Sequence, residues 1–374
     1  LIYFIFLAFS MVFGFSVGAY DLYNSRLDSD IFINSSLVRP IFEYFITLYY
    51  FIYFAVLPIF ILRSKKGIDY FFKIFFFFFF LSFFLGAVDL ALVVFFQYEF
   101  IPRHLSDFRH VGMRFHGLAG EPRDAFVYLI LGGALLFLRE IWTGIKFHRG
   151  WLFLIFFAAL ATQSTSGYLG FFMSIAMIFL YQIRKMKMGP IIFLLIVAIS
   201  ALALIFLSII NSPRTILYIE AAPVAFEALQ NGVELPGVIM AQIVNIYPLW
   251  IRWIELLDNN FLSSFLGTGL GTASIANGYI LTEGGVLNPH ANIIRIFFES
   301  GFIGILLYIA SFLQPLREAS RKIEKANIMI APMFMVLGAS FGHRSVAIFI
   351  FLGITLLVLI HKTKYSRQGS IDDN

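Results

Sequence analysis

Seventeen residues, NPHANIIRIFFESGFIG at positions 288 to 304, hold the side chains of this sequence that are best suited to chemistry. Asn288 suits a helix N-cap and Pro289 the first helical position, so a helix is predicted to begin there with His290 in its first turn. The dipole at that end opposes a cation and favours neutral imidazole, the form that accepts a proton. His290 is therefore a candidate general base; the alternative is an interfacial histidine that only hydrogen-bonds a neighbouring loop.

The same predicted helix carries Arg295 and Glu299, four residues apart. We expect them to pair, because an unpaired charge in an apolar helix is costly. Arg295 lies about 140° round the helix from His290, and Glu299 nearly opposite it. The pair is therefore expected to support the site rather than to contact the ring, while Gly301 and Gly304 offer small surfaces for helix packing.

The composition indicates how these residues are positioned. Of the 374 residues, 60% are hydrophobic and 13% charged, with mean hydropathy +0.86, which predicts an all-α, polytopic integral membrane protein. The chain has no Cys, which excludes disulfides, thiolate catalysis and Cys-ligated metals. Leu1 in place of Met indicates that residues precede it, and the first segment lacks the features of a signal peptide. The run Phe75 to Phe80 is expected to face lipid.

A bilayer core takes about 20 apolar residues per helix, and on that basis we predict about ten or more transmembrane helices. The ten apolar stretches are 1–19, 40–62, 70–97, 124–138, 151–163, 167–183, 190–210, 291–313, 327–342 and 345–361. Basic clusters place five connections in the cytoplasm, at 63–66, 139–149, 184–187, 317–325 and 362–367. The predicted organisation is seven helices in 1–210, a long outer loop at 211–290, and three helices with a cytoplasmic tail in 291–374.

The segments predicted to lie outside differ from the inner ones in their cations. They contain ten Arg and no Lys: Arg26, Arg39, Arg103, Arg109, Arg114, Arg123, Arg214, Arg252, Arg295 and Arg344. The planar fork of Arg binds phosphate and carboxylate in a bidentate manner, so this bias indicates an anion-binding outer face. The alternative is that translocated loops tolerate Arg better for reasons unrelated to binding.

The long outer loop has helical patterning of its own. Apolar residues at helical spacing predict two interfacial helices, at 212–232 and 236–259, the second with Trp250 and Trp253 around Arg252. Substrate contact and a purely structural lid remain equal alternatives for them. The stretch FLGTGLGTASIANG, 265 to 278, follows no strand, so we expect a glycine-rich hinge or backbone turn against the membrane face rather than a dinucleotide site.

Other polar residues give weaker indications. Three histidines recur every six residues, a spacing that suits no zinc site: His104, His110 and His116. Asp28 and Asp30 form an Asp-x-Asp that is more often solvated than metal-bound. Asp89 lies within a predicted span, which makes it a candidate for function or for a polar contact between helices.

PHANIIRIFFESGFIG resembles the C-terminal signature of the O-antigen ligase and O-antigen polymerase (Wzy-type) superfamily, in which His is followed by Glu-x-Gly and then Gly. Three further blocks are similar in the same order: RFHGLAGEPRDAF at 114–126, ATQSTSGYLGF at 161–171 and IRWIELLDNNFLSSFLGTGLG at 251–271. The resemblance covers about residues 110 to 310. Thr165 stands where many members have Arg. Ala291 stands where ligases usually have Asn, and this second difference favours polymerase over ligase.

The resemblance implies a metal-independent, cofactor-free glycosyltransferase in the bacterial inner membrane, with its active site facing the periplasm. Its substrate would be an oligosaccharide linked to undecaprenyl pyrophosphate in the membrane lipid, and its expected partners are a chain-length regulator and a flippase. His290 would be the catalytic base. The expected pyrophosphate-binding residues are Arg252, Arg114, Arg214 and Arg109, and the expected supporting residues are Arg295, Glu299 and Glu121.

Three alternatives remain. An O-antigen ligase would transfer the polymer to the lipid A core instead. A lipid-linked oligosaccharide flippase, which is a transporter, would need a polar pathway and internal repeats that the sequence does not display. A structural scaffold would need neither His290 nor the outer arginines. No nucleic acid partner is expected from the composition or from the resemblance.

Overall fold

The computed structural model of the chain describes residues 2–20, 35, 37–101, 114–164, 167, 168, 170, 171, 174, 223, 261–274, 292–322, 329–342 and 344–369. These residues are helical or lie in short connections, without a strand among them. The described helices are α1 Ile2–Ser16, α2 Val38–Ile61, α3 Lys65–Phe96, α4 Pro122–Thr143, α5 Gly150–Ala161, α6 Phe261–Leu266, α7 Asn292–Lys322, α8 Ile330–Gly342 and α9 Ala347–Gly369. The prediction of an all-helical fold is confirmed for this part of the chain.

Four described helices, α2, α3, α4 and α7, are long and apolar enough to cross a membrane, and α1, α5, α8 and α9 provide shorter apolar helices. Each overlaps one predicted span. Apart from isolated positions, the spans predicted at 167–183 and 190–210 and the interfacial helices predicted at 212–232 and 236–259 lie outside the described residues. The described helices are therefore those of a membrane protein.

Helix α4 is longer than the predicted span 124–138, since it continues to Thr143. Arg139 and Glu140 ended the apolar stretch in the sequence. In the structure Glu140 pairs with Arg149 at 3.0 Å, and the guanidinium of Arg139 lies over the ring of Phe76. Both charges have partners, so the helix tolerates them.

The chain divides into two compact units. Unit 1 comprises residues 1–50 and 214–311, and unit 2 comprises residues 51–213 and 312–374. Neither unit is continuous in sequence. The division predicted at residues 210 and 290 separates the transmembrane segments from the long outer loop instead, and it stays a prediction.

Helix α4 is the centre of unit 2, since 83% of its 18-residue apolar stretch is buried. It packs against α3, α5, α8 and α9. The prediction that the phenylalanine run of α3 faces lipid is wrong for two of its members, because Phe76 and Phe79 are buried. Residues three apart share a helix face, and here that face meets α4, where Gly132 leaves room for the ring of Phe79. Phe77 and Phe78 are exposed, as expected for lipid contact.

Helices α3 and α4 of unit 2 run in opposite directions, while α4 and α9 end close together. The indole of Trp142, at the end of α4, donates to Asp69 near the start of α3 at 2.7 Å and meets the ring of His361 on α9. At the opposite end, Asp89 of α3 contacts His116, which precedes α4. These directions agree with the order of the basic clusters, and the side of the membrane on which each end lies stays a prediction.

Candidate functional site

Four charged side chains of unit 1 form a buried network. Arg39 and Glu43 belong to the first turns of α2, and Arg295 and Glu299 to the first turns of α7. The Arg39 Nη2 lies 2.6 Å from Glu43 Oε1, and the Arg295 Nη2 lies 2.9 Å from Glu43 Oε2. The Arg295 Nε contacts both Glu299 oxygens at 3.2 Å. One arginine therefore joins two carboxylates that come from different helices, and the predicted pairing of Arg295 with Glu299 is confirmed.

The charges of this network balance. It holds two arginines and two glutamates, with Glu43 only 1% and Arg295 only 5% exposed. Each of the four carboxylate oxygens accepts from at least one described donor, since the N–H of Gly271 adds a hydrogen bond of 2.9 Å to Glu299 Oε1. Charges are tolerated in an apolar interior when they are both paired and hydrogen-bonded. Among the described residues the network thus has no net charge, and it stabilises the protein internally.

Residues 267 to 271 form a glycine turn that packs on α7. Gly267, Gly269 and Gly271 have φ values of 80°, 97° and 81°, in the region that favours glycine. The turn's Thr268 and Gly269 N–H groups donate to the carbonyls of Phe298 and Glu299 at 2.9 and 3.0 Å. The predicted backbone turn is confirmed. Its N–H groups need acceptors and find them on α7, while the expected position against the membrane face stays a prediction.

Helix α7 is broken at Gly301, which has φ 64° and ψ −169°. The sequence predicts a continuous helix with Gly301 as a packing surface, so the break corrects that expectation. Its cause lies in the turn: the carbonyl of Phe298 accepts from the N–H and hydroxyl of Thr268, each at 2.9 Å. The carbonyl of Glu299 accepts from Gly269 N–H and from the Ser10 hydroxyl of α1 at 2.7 Å. Donors from outside the helix thus bind the carbonyls of the turn that precedes the break.

The end of α1 also contacts the glycine turn. The hydroxyl of Tyr20 donates to the carbonyl of Leu270 at 2.9 Å. Burial, and next the negative charge of Glu299, raise the pKa of the Tyr20 hydroxyl far above its usual range. The hydroxyl therefore stays a hydrogen-bond donor at any physiological pH. Three predicted outer ends, after α1, before α2 and before α7, thus meet around one turn within unit 1.

Unit 2 contains a second polar cluster, between the end of α3 and the start of α4. Asp89 Oδ2 lies 3.2 Å from His116 Nε2, and both residues are buried. The other oxygen of Asp89 accepts from the N–H groups of Phe100 and Ile101, both at 2.8 Å. Asp89 thus makes polar contacts, as predicted, but with the connections after α3 and before α4 rather than with another helix. The carboxylate fixes the connection that follows α3.

Arg114 belongs to the same end of unit 2. Its Nε and Nη2 donate to the carbonyls of Thr162 and Gln163 at 2.9 and 2.8 Å, where α5 ends. A cation at the end of a helix satisfies its last carbonyls and matches its dipole. Arg114 therefore stabilises the end of α5, and its expected contact with pyrophosphate stays a prediction. Glu121, the N-cap residue of α4, pairs with Arg123 at 2.6 Å.

The predicted site residues divide into three groups. Arg295 and Glu299 lie together in unit 1, while Arg114 and Glu121 lie in unit 2. Four others lie outside the described residues: His290, Arg252, Arg214 and Arg109. The role of His290 as a base therefore stays a prediction, as does the helix start predicted at Asn288.

Sequence reasoning missed Glu43, the acid that completes the network. A signal was present, since Glu43 is an acidic residue inside the predicted span 40–62 and lies four positions after Arg39. An acid in such a span requires a partner, and Arg39 alone leaves one carboxylate oxygen unpaired. The spacing indicates that a second donor is needed, but it does not show that Arg295 supplies it.

Comparisons of the chain with protein-family models, curated proteins and solved structures find no match.

Proposed function

We propose that the chain is a membrane glycosyltransferase that polymerises O-antigen repeat units linked to undecaprenyl pyrophosphate. The proposal places about ten or more transmembrane helices in the bacterial inner membrane and the reaction at the periplasmic face, with the 211–290 loop and its interfacial helices over the site. It rests on the resemblance of residues 110–310 to the O-antigen ligase and polymerase superfamily. A chain-length regulator and a flippase are the proposed partners.

One observation carries the proposal most directly. The resemblance depends on Glu299 and Gly301, and on the Gly-x-Gly of the 251–271 block. In unit 1 these residues meet: the Glu299 carboxylate accepts from Gly271 N–H, and Gly301 has a backbone conformation that only glycine adopts readily. These glycines have positive φ, and Glu299 contacts the turn that contains three of them. This agreement between the motif residues and their contacts supports the proposal.

The proposed reaction needs a base and a cationic site. The acceptor sugar hydroxyl attacks the anomeric carbon of the donor, its proton passes to His290, and a new glycosidic C–O bond forms. The bond from the anomeric carbon to undecaprenyl pyrophosphate breaks. The departing anion is held by Arg252 with Arg114, Arg214 and Arg109. Attack from the face opposite the leaving group inverts the anomeric centre.

Unit 1 supports the proposed position of the base. His290 is five residues before Arg295, whose guanidinium is fixed by Glu43 and Glu299. The bridge from Arg295 to Glu43 ties the first turns of α7 to α2, and proton transfer over a hydrogen-bond distance requires a base on such a fixed element. Arg295 and Glu299 are in this account positioning residues.

The flippase alternative gains no support from the break in α7. Broken helices of transporters leave carbonyl groups that coordinate ions or substrate. Here the carbonyls of Phe298 and Glu299 each accept two hydrogen bonds from the protein itself. The break serves to seat the glycine turn.

The test is expression of His290→Ala and Arg252→Ala in a polymerase-null strain, followed by electrophoresis of lipopolysaccharide. Both variants should reach normal membrane levels and lose the long-chain ladder, leaving a single repeat on the core. A ladder that survives in both variants shows that the assigned roles are wrong. Arg63→Ala, at the opposite predicted side, is the matched control and should keep the ladder.

A second experiment separates polymerase from ligase. Purified protein is incubated with a synthetic undecaprenyl pyrophosphate repeat unit as the sole substrate, and the products are measured by mass spectrometry. A polymerase makes longer glycans from that substrate alone. A ligase makes none until lipid A core is added, so product that appears only on that addition replaces the proposal with the ligase.

A further inference from the structure

One end of unit 2 carries an excess of exposed cations. Trp142 lies at its centre, with its indole donating to Asp69 at the start of α3. Five basic residues belong to the helix segments that meet at Trp142, and we call them the basic rim: Lys65, Lys66, Lys73, Arg139 and Lys362. Among the described residues of these segments the acids are Asp69 and Glu140, and Glu140 is already paired with Arg149. The rim therefore has a net positive charge.

Contacts place two of the rim residues, and helix spacing places the lysines of α3. The Lys362 ammonium lies 6.0 Å from the centre of the Trp142 ring, and the neighbouring His361 ring meets the same indole at 5.8 Å. The Arg139 guanidinium lies 5.7 Å from the ring of Phe76 on α3. Lys65 and Lys66 are four and three residues before Asp69, so they share its side of the helix. A cationic surface thus joins the start of α3 to the ends of α4 and α9.

An exposed apolar stripe runs along α3 away from the rim. Its members recur at intervals of four and three: Tyr70, Ile74, Phe77, Leu81, Phe84 and Val88. They lie within about 40° of one helix face, and Lys66 lies at the edge of that face. The stripe is about 27 Å long, close to the roughly 30 Å of a bilayer's hydrocarbon core. Cations at one end and an apolar track below them match the shape of a phospholipid.

We propose that the basic rim and the adjoining half of the stripe form a binding site for an anionic phospholipid. The headgroup phosphate binds between Lys66, Lys73 and Lys362, while an acyl chain packs on Ile74 and Phe77. The net charge of the rim selects anionic over zwitterionic headgroups. Inorganic phosphate would use the cations and leave the stripe exposed, so the stripe specifies a lipid.

A second copy of the chain fits this surface less well. Two copies in one membrane share the same orientation, so a symmetric pair through the stripe would bring the two rims together. Ten cations would then face each other across the interface, and like charges in contact are unfavourable. The lipid supplies the opposite charge instead.

The test uses the full chain, purified in detergent, and native mass spectrometry with added phosphatidylglycerol or phosphatidylcholine. The wild type should retain phosphatidylglycerol in preference to phosphatidylcholine. The variant Lys66→Gln/Lys73→Gln/Lys362→Gln should bind phosphatidylglycerol on the order of 100-fold more weakly, since each cation near an anionic lipid contributes about a factor of 5. The charge-retaining variant Lys66→Arg/Lys73→Arg/Lys362→Arg should bind like the wild type.

Several results would overturn the proposal. Equal retention of the two lipids removes the role of charge, and unchanged phosphatidylglycerol binding in the glutamine variant removes the rim. Displacement of the lipid by an equal concentration of inorganic phosphate removes the stripe, and a lipid-free dimer assigns the surface to a second copy. Unchanged elution on size exclusion shows that the exposed substitutions leave the variants folded, and the arginine variant gives a further comparison of equal substitution number.

Discussion

Replacing Glu43 by Gln should strongly destabilise unit 1. The substitution keeps the size of the side chain and removes the negative charge that faces both Arg39 and Arg295. Glu299 is then the one carboxylate that remains in the network, while both cations, Arg39 and Arg295, are still present. Breaking a buried ion pair from one side costs about 3 to 5 kcal/mol, because the partner charge is left without compensation in an apolar interior. Glu43 is 1% exposed, so water does not reach this site to solvate the cations that lose their partner.

The free energy of unfolding of the purified protein, measured by titration in mixed detergent micelles, tests this expectation. Glu140→Gln is the matched control, since it makes the same chemical change in the Glu140–Arg149 pair of unit 2. The side chain of Arg149 is 46% exposed, so solvent screens that pair and its loss should cost about 0 to 1 kcal/mol. If Glu43→Gln costs no more than Glu140→Gln, the network does not stabilise the fold as described.

Two other substitutions test the break and the second cluster. Gly301→Ala should cost about 1 to 3 kcal/mol or more, because φ 64° with ψ −169° strains any side chain and the new Cβ would collide with the backbone of Phe265. Gly144 has φ 74° with nothing within 4 Å of a new Cβ, so Gly144→Ala measures the cost of positive φ alone. Equal losses of stability in thermal unfolding of the two variants would contradict the collision at Gly301. Asp89→Asn should cost about 1 to 3 kcal/mol by placing an amide against the histidine or the two N–H donors, and an unchanged unfolding midpoint would show that the cluster contributes little.

The helices were predictable because lipid imposes a simple condition on sequence. A spanning segment must be long and apolar, and its cations must remain at the ends, so windows of hydropathy located α2, α3 and α7 to within a few residues apart from their charged ends. The same reasoning shortened α4, because it treated Arg139 and Glu140 as the end of the span. Their partners, Phe76 and Arg149, were not predictable from hydropathy.

The break at Gly301 shows a different limit. A Glu-x-Gly inside an apolar helix has the same pattern as an ordinary packing motif. What breaks the helix is a set of donors from Thr268, Gly269 and Ser10, which are remote in sequence. The glycine turn itself was predicted from its composition, but the carbonyls that it binds were not. Local pattern gives the conformational freedom of glycine, and tertiary contacts decide whether it is used.

The charge network separates local from remote information in the same way. Arg295 and Glu299 are four residues apart on one helix, so their pairing followed from spacing. Glu43 is separated from Arg295 by 252 positions, and no periodicity connects them. The excess of arginine over lysine on the predicted outer side was nevertheless a valid indication of forked hydrogen bonding. Arg295 uses Nε on one carboxylate and Nη2 on another, which the compact ammonium of lysine is poorly shaped to do.

That observation changes what the outer arginines imply. Of those that the structure describes, Arg39, Arg123 and Arg295 are paired with carboxylates of the protein itself, and Arg114 binds the carbonyls that end α5. Internal acceptors therefore account for part of a bias that composition alone attributed to an external anion. Under the proposed function, a pyrophosphate needs cations that internal acids have not neutralised. Arg252 and its neighbours in sequence, rather than the network, are then the residues that bind the pyrophosphate. Their substitution should reduce catalysis without the loss of stability that substitution of Glu43 causes.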